Sequence, residues 1–130
     1  MRQIWLVIGE KHMAEEHDRS MMDNLYWWGI PTIFRCVNQP PDGHDIALVG
    51  VPHSTGNGTT ERDQHLGPRA LRNVSAVQRR VHSVFEVDPW SCAKITDVGD
   101  VPLPRANDNE DCIARITDFF GKIDATGARP

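Results

Sequence analysis

Three short stretches hold the residue types that could do chemistry. Asp42-Gly43-His44 and Asp63-Gln64-His65 each set an acid and an imidazole one residue apart, and Asp97-Val98-Gly99-Asp100 sets two carboxylates around a glycine. Carboxylates and imidazoles are the donors that divalent metals of intermediate hardness accept. Two positions beyond the imidazoles stand Ile46 and Gly67, neither of them a metal donor. Those pairs are therefore assigned to a turn and a loop. Asp97 and Asp100 are assigned to a turn, or to supporting a site without touching its ligand, and Arg72 to a structural or interface ion pair. Gly56-Asn57-Gly58 lacks the third glycine and the acidic partner of a dinucleotide-binding turn. No Ser/His/Asp or Cys/His set stands at a spacing that supports nucleophilic catalysis. By this reading the chain carries neither catalytic residues nor a metal site.

Bulk properties narrow the classes. The 130 residues are 39% hydrophobic and 25% charged, the balance of a single soluble globular domain. A formal charge of −4 and a pI near 5.8 argue against nucleic acid or an anionic membrane as partner, since the longest basic cluster is Arg79-Arg80. Cys36, Cys92 and Cys112 are odd in number and form no CxxC, which fits reduced thiols. No run approaches the roughly 20 apolar residues of a membrane span. Met1 to Gly9 is a poor signal peptide, with a short apolar core followed by Glu10-Lys11-His12, so a cytoplasmic location is expected. Residues 1–12 could equally be non-native, with a junction at His12-Met13.

Around these residues the elements fall in order. Met13 to Asp23 is polar and charged without a periodic apolar face, and residues 1–24 read as a mobile arm. Residues 25–44 form an aromatic lead-in ending in the Asn38–Gly43 turn. Its Tyr26, Trp27 and Trp28 either lie over the domain body or make a homo- or hetero-oligomer contact. Residues 45–130 form the domain proper. Asp45–Val51 predicts a strand buried on both faces, and a polar loop runs from His53 to Leu66. Gly67-Pro68 opens a helix whose apolar face is Ala70, Leu71, Val74, Val77 and Val81. Val81–Val87 is expected to be irregular and Asp88-Pro89-Trp90 a turn. Lys94–Val101 predicts a second strand with Ile95 and Val98 in the core. Asn107 is placed as cap of a final helix with the stripe Cys112, Ile113, Ile116, Phe119, Phe120 and Ile123, ended by Gly127. Strand, helix, strand, helix is the start of an α/β fold with a parallel sheet covered on both sides. Two strands do not cover two helices, so exposed apolar surface is expected on the final helix. A third strand is due at Ala128-Arg129-Pro130.

The stretch from Ile46 to Arg72 resembles the N-terminal signature of the ureohydrolases, the superfamily of arginase, agmatinase and guanidinobutyrase. That pattern is an apolar strand ending in Gly-x-Pro, a glycine-bearing loop and Gly-Pro-x-x-(Leu/Ile)-Arg. It falls on Gly50, Pro52, Gly56, Gly58, Gly67, Pro68, Leu71 and Arg72. Asp97-Val98-Gly99-Asp100 resembles the second block of the family, and Tyr26–Ile33 resembles the aromatic lead-in of agmatinase-like members. The resemblance implies a three-layer arginase-type fold, of which only the first βαβα part is present. It also implies hydrolysis of a guanidino compound to amine and urea by water activated on two divalent metals, manganese or nickel. The Gly-Gly-Asp-His, Asp-x-His-x-Asp and Asp-x-Asp blocks that hold those metals in the family are absent from the sequence. The expectation is an incomplete ureohydrolase, inactive alone. Its substrate loop is His53, Asn57, Glu61 and Arg62, with Asn57 and Glu61 accepting from guanidinium N–H groups and His53 at the entrance; the other reading is that Gly56, Asn57 and Gly58 shape the turn while the charges are solvated. The alternatives are a non-catalytic partner subunit of an intact homologue and a small unrelated α/β binding domain.

Overall fold

The computed structural model describes residues 30–54, 63–78, 80–105 and 107–130. The arm over residues 1–24 and the aromatic triplet lie outside them. Two parallel strands, β1 (Ile46–Gly50) and β2 (Ile95–Asp100), are joined through α1 (Gly67–Ser75) and the short α2 (Pro89–Cys92), and α3 (Asn109–Asp124) follows β2. This is the α/β arrangement with a parallel sheet that the sequence predicts.

Alternation along β1 sends successive side chains to opposite faces. Ala47 packs with Ile123 and Ala128, against which Val49, Val98 and Phe119 are partly buried. Cys112 and Ile123 are the buried points of the α3 stripe, while Ile113 is 58% exposed, as expected for that helix. Gly127 adopts φ +87° just past the helix, a backbone conformation that favours glycine, and its N–H bonds Asp124 O at 3.0 Å. The cap is Asp108 rather than Asn107: its side chain accepts from Asp111 N at 3.0 Å. Asp and Asn both satisfy a first-turn N–H, and one residue of register separates the two assignments.

Both edges of the two-stranded sheet are engaged. Along β2, Asp97 N donates to Val37 O at 2.9 Å and Gln39 N to Thr96 Oγ1 at 3.2 Å, so the lead-in segment lies against that edge. Along β1, Arg129 forms a parallel bridge with Ile46, with Ala47 N donating to Arg129 O at 2.8 Å and Arg129 N to Asp45 O at 2.9 Å. A single bridge thus stands where the third strand is due, with Ala128 buried. β1 lies between two parallel neighbours.

Three expectations are corrected. β1 is only half buried, with Ala47 and Gly50 its buried residues, because its second face meets a groove instead of a filled layer. α1 ends at Ser75 and turns its apolar stripe outward: Leu71, Val74, Val77 and Val81 are exposed, while Arg72 and Ser75 are buried. The inward side meets carboxylates, so the polar residues face in. Asp88–Trp90 is the start of α2 and not an isolated turn, because Asp88 Oδ1 accepts from Trp90 N at 3.0 Å and Pro89 occupies the first turn. Val81–Val87 is irregular, as expected, and closes on His82 N to Val87 O at 2.9 Å.

All three cysteines are free, Cys36 and Cys112 buried and Cys92 exposed. Burial, with the nearby Asp97 charge adding to it, pushes the Cys36 thiol up to about 12. A thiol reagent at mild pH is therefore expected to modify Cys92 in the native chain, and Cys36 and Cys112 only after denaturant is added. Peptide mapping of the alkylated protein reads this directly.

Candidate functional site

The described residues concentrate their buried charge at the carboxyl ends of the strands, where parallel α/β folds place their sites. β1 and β2 run in register from Ile46↔Ile95 to Leu48↔Asp97, and the register then shifts so that Gly50 pairs with Asp100. Asp97 makes the shift. Its Oδ1 accepts from Gly99 N at 2.9 Å, and Gly99 takes φ +86°. The short side chain thus folds the backbone back on itself and bulges the strand. Asp97 itself lies inside β2, paired with Leu48, so where a turn was expected the structure has a bulged strand.

The bulge carries Asp100 over Gly50, and Arg72 reaches both acids from α1. The guanidinium grips Asp97 in a fork, Nε to Oδ2 and Nη2 to Oδ1 at 2.8 Å each, and Nη1 donates to Asp100 Oδ1 at 2.6 Å. Asp97 Oδ2 also accepts from Ile33 N at 2.9 Å. Asp97 is fully buried and Arg72 is 7% exposed. Burial alone would raise the Asp97 carboxyl, but the Arg72 fork and the N–H groups of Ile33 and Gly99 outweigh it and hold it below the ordinary carboxylate value. The same bonds hold the Arg72 guanidinium above its usual range against the burial that would lower it. A planar, permanently charged fork suits this bidentate grip better than a lysine ammonium does.

Close approach makes Gly50 part of the cluster. A Cβ there would stand 2.9 Å from Pro68 Cβ and would overlap Asp100 Oδ1 outright. Val101 N donates to Gly50 O at 2.9 Å, so both strand ends, the first turn of α1 and the lead-in are tied at one point.

His53 follows immediately, at the exit of β1. Its N–H donates to Val51 O at 2.9 Å, and its Nδ1 is buried without a hydrogen-bond partner. Asn57, Glu61 and Arg62 lie outside the described residues. The residues that sequence reasoning left without a joint role are Arg72, Asp97, Asp100 and Gly50. A signal for them existed: a charged residue inside an apolar strand is costly unless paired, and Arg72 is the cation that the Gly-Pro-x-x-Leu-Arg block supplies.

The divalent metals that the resemblance implies do not fit this cluster. Both Asp97 oxygens are occupied by a buried guanidinium and two backbone N–H groups, and a metal ion added there would sit against that fixed positive charge. Among the described residues no three His, Cys, Asp or Glu side chains converge. The cluster is built to hold backbone in place, not to ligate.

Comparison with known proteins points the same way as the geometry. The profile of the Arginase family matches residues 44–130. The chain is 34% identical over 103 residues to the guanidinopropionase of Pseudomonas aeruginosa, which covers 78% of this chain and 32% of that protein. It is 32% identical over 103 residues to the mitochondrial guanidino acid hydrolase of Homo sapiens, covering 78% of this chain and 29% of the other. A putative agmatinase 3 of Schizosaccharomyces pombe is 30% identical over 102 residues, covering 68% of this chain and 24% of its own length. The chain spans about a third or less of the length of these relatives. With a profile match over most of its length, and with both signature blocks joined through Arg72, this chain belongs to the arginase family, among its agmatinase-like ureohydrolases.

Proposed function

We propose that this chain serves as the opening α/β part of a ureohydrolase that splits a small guanidino carboxylic acid into an amino acid and urea. The observation that carries the reading is the knot of Arg72, Asp97, Asp100 and Gly50, which joins the two family blocks at the strand ends from which the His53–Leu66 loop departs. A guanidinium substrate needs acceptors, and Asn57 and Glu61 supply them. A carboxylate at its other end needs a bidentate cation, and Arg62 supplies one. Two of the relatives, a guanidinopropionase and a guanidino acid hydrolase, bear names consistent with an acid substrate.

A guanidinium carbon is a poor electrophile, and metal-bound hydroxide is the nucleophile that serves such a reaction at neutral pH. The family blocks that would hold two metals are not in these 130 residues, and no three candidate ligands converge among the described ones, so the reading includes no turnover by the chain alone.

Two assays test this. The purified chain, given manganese or nickel, is expected to release no urea from 3-guanidinopropionate, 4-guanidinobutyrate or agmatine; release would overturn the inactivity. A chimera of a guanidinopropionase, with residues 44–130 of this chain replacing its corresponding stretch, is expected to hydrolyse guanidinopropionate. Arg62→Ala in the chimera is expected to raise KM for the acid more than for agmatine. A well-folded chimera with no activity on any guanidino compound would sink the proposal.

A further inference from the structure

The lead-in turn Thr32–Cys36 holds two adjacent residues with side chains, Phe34 and Arg35, at φ +48° and +56°. Left-handed backbone is costly for a residue that carries a Cβ, because the Cβ crowds the carbonyl oxygen that follows. It persists only where the surroundings impose it. Within the turn, Arg35 N donates to Thr32 O at 3.2 Å, Cys36 N to Ile33 O at 3.0 Å and Thr32 Oγ1 to Cys36 O at 2.6 Å. Three other elements then pin it from outside. Ile33 N donates to Asp97 Oδ2 of β2 and Phe34 N to Ser75 Oγ of α1, each at 2.9 Å. The Phe34 ring lies 5.5 Å from the Trp90 ring of α2.

Just downstream the segment hangs on β2 by polar contacts. Asp97 N donates to Val37 O at 2.9 Å, Asn38 Nδ2 to Asp97 O at 2.8 Å and Gln39 N to Thr96 Oγ1 at 3.2 Å. Of residues 32–39 only Thr32 and Cys36 are buried, and none belongs to the apolar cluster of Ala47, Ile123 and Ala128. A segment held by hydrogen bonds at a sheet edge, outside the apolar core, opens locally at a lower free energy than the whole fold. Strain in its closed form lowers that free energy further.

Opening would reach two features already described. Ile33 is a wall of the apolar groove of about 440 Å³ that Leu48, Pro68 and Leu71 also line. Asp97 Oδ2 accepts from Ile33 N and from Arg72 Nε alike, so the lead-in and the charged knot share one oxygen.

We propose that residues 32–39 form a strained strap that opens as one unit ahead of the rest of the fold. Its release withdraws Ile33 from the groove beside Pro68 and takes one donor away from Asp97. The device rests on the geometry of the turn and stands without any guanidine chemistry.

Native-state hydrogen exchange on the full chain tests it. The amides of Ile33, Phe34 and Asp97 lie on both sides of the contact and are expected to share one opening constant that depends little on urea. That constant should exceed the one for Val101 by about ten-fold or more. Arg35→Gly and Arg35→Ala lose the same side-chain contacts and differ in their tolerance of positive φ. The alanine form is therefore expected to open roughly five-fold more often than the glycine form at all three amides. Ser75→Ala, which removes the acceptor of Phe34 N, should raise opening several-fold at Asp97 as well as at Phe34. Three unrelated opening constants, an opening shared with Val101, or equal opening in the glycine and alanine forms would overturn the proposal. So would an Asp97 amide indifferent to Ser75→Ala.

Discussion

Arg72→Ala is expected to destabilise the chain by about 3–5 kcal/mol in urea denaturation, a large share of the whole stability of a small domain. The loss comes less from the missing attraction than from what is left behind. Asp97 is fully buried, and without the fork its charge faces only two N–H groups. Substituting both partners with apolar residues often rescues a buried ion pair. Here it should not. Asp97 also serves Ile33 N and Gly99 N, and an Arg72→Met, Asp97→Leu double variant strands both, at about 1–3 kcal/mol each.

The pH dependence has a definite sign. Because the folded Asp97 carboxyl sits below its ordinary value, its contribution is complete at neutral pH. It drains as pH falls from the usual carboxylate range of about 4 toward the lower folded value. In Arg72→Ala that acid-side loss should vanish from the denaturation profile, since an unpaired buried carboxyl gains by taking a proton. An unchanged profile would mean that Arg72 does not hold the Asp97 charge.

Gly50→Ala is the second substitution with a large expected effect. The new methyl meets Pro68 Cβ at 2.9 Å and displaces Asp100. Asp100 can swing toward solvent, because its side chain is 40% exposed, but it then leaves Arg72 Nη1. Pro68 has no such freedom. A cost of about 1–3 kcal/mol is expected from overpacking. Slower exchange-protected amides at Val101, whose N–H bonds Gly50 O, should be lost with it. An alanine variant with parental stability and Val101 protection would show that the strand ends are looser than the close contact implies.

Much of this was legible in the residues themselves. The apolar run before Pro52, the Gly67-Pro68 helix start and the Cys112–Ile123 stripe all fall where the structure has them, because each depends on local periodicity and capping. The orientation of α1 was not legible. Periodicity finds an apolar face but not which way it points, and the buried Arg72 turned the helix over. The bulge in β2 left a trace that strand periodicity hides: an aspartate two residues before a glycine, able to accept that glycine's N–H. The site was half legible. The motif marked Arg72 and Asp97 separately, whereas their fork depends on a crossover that brings positions 25 residues apart together.

The bridge between Ile46 and Arg129 has a kinetic meaning. One of the neighbours of β1 lies about eighty residues later in the chain. Closing so long a loop is entropically slow, and the Arg129 pairing on that edge is not available until Arg129 has been made. A nascent chain would therefore hold β1 with an open flank until Arg129 has been made, and open strand edges are prone to pairing with other polypeptides.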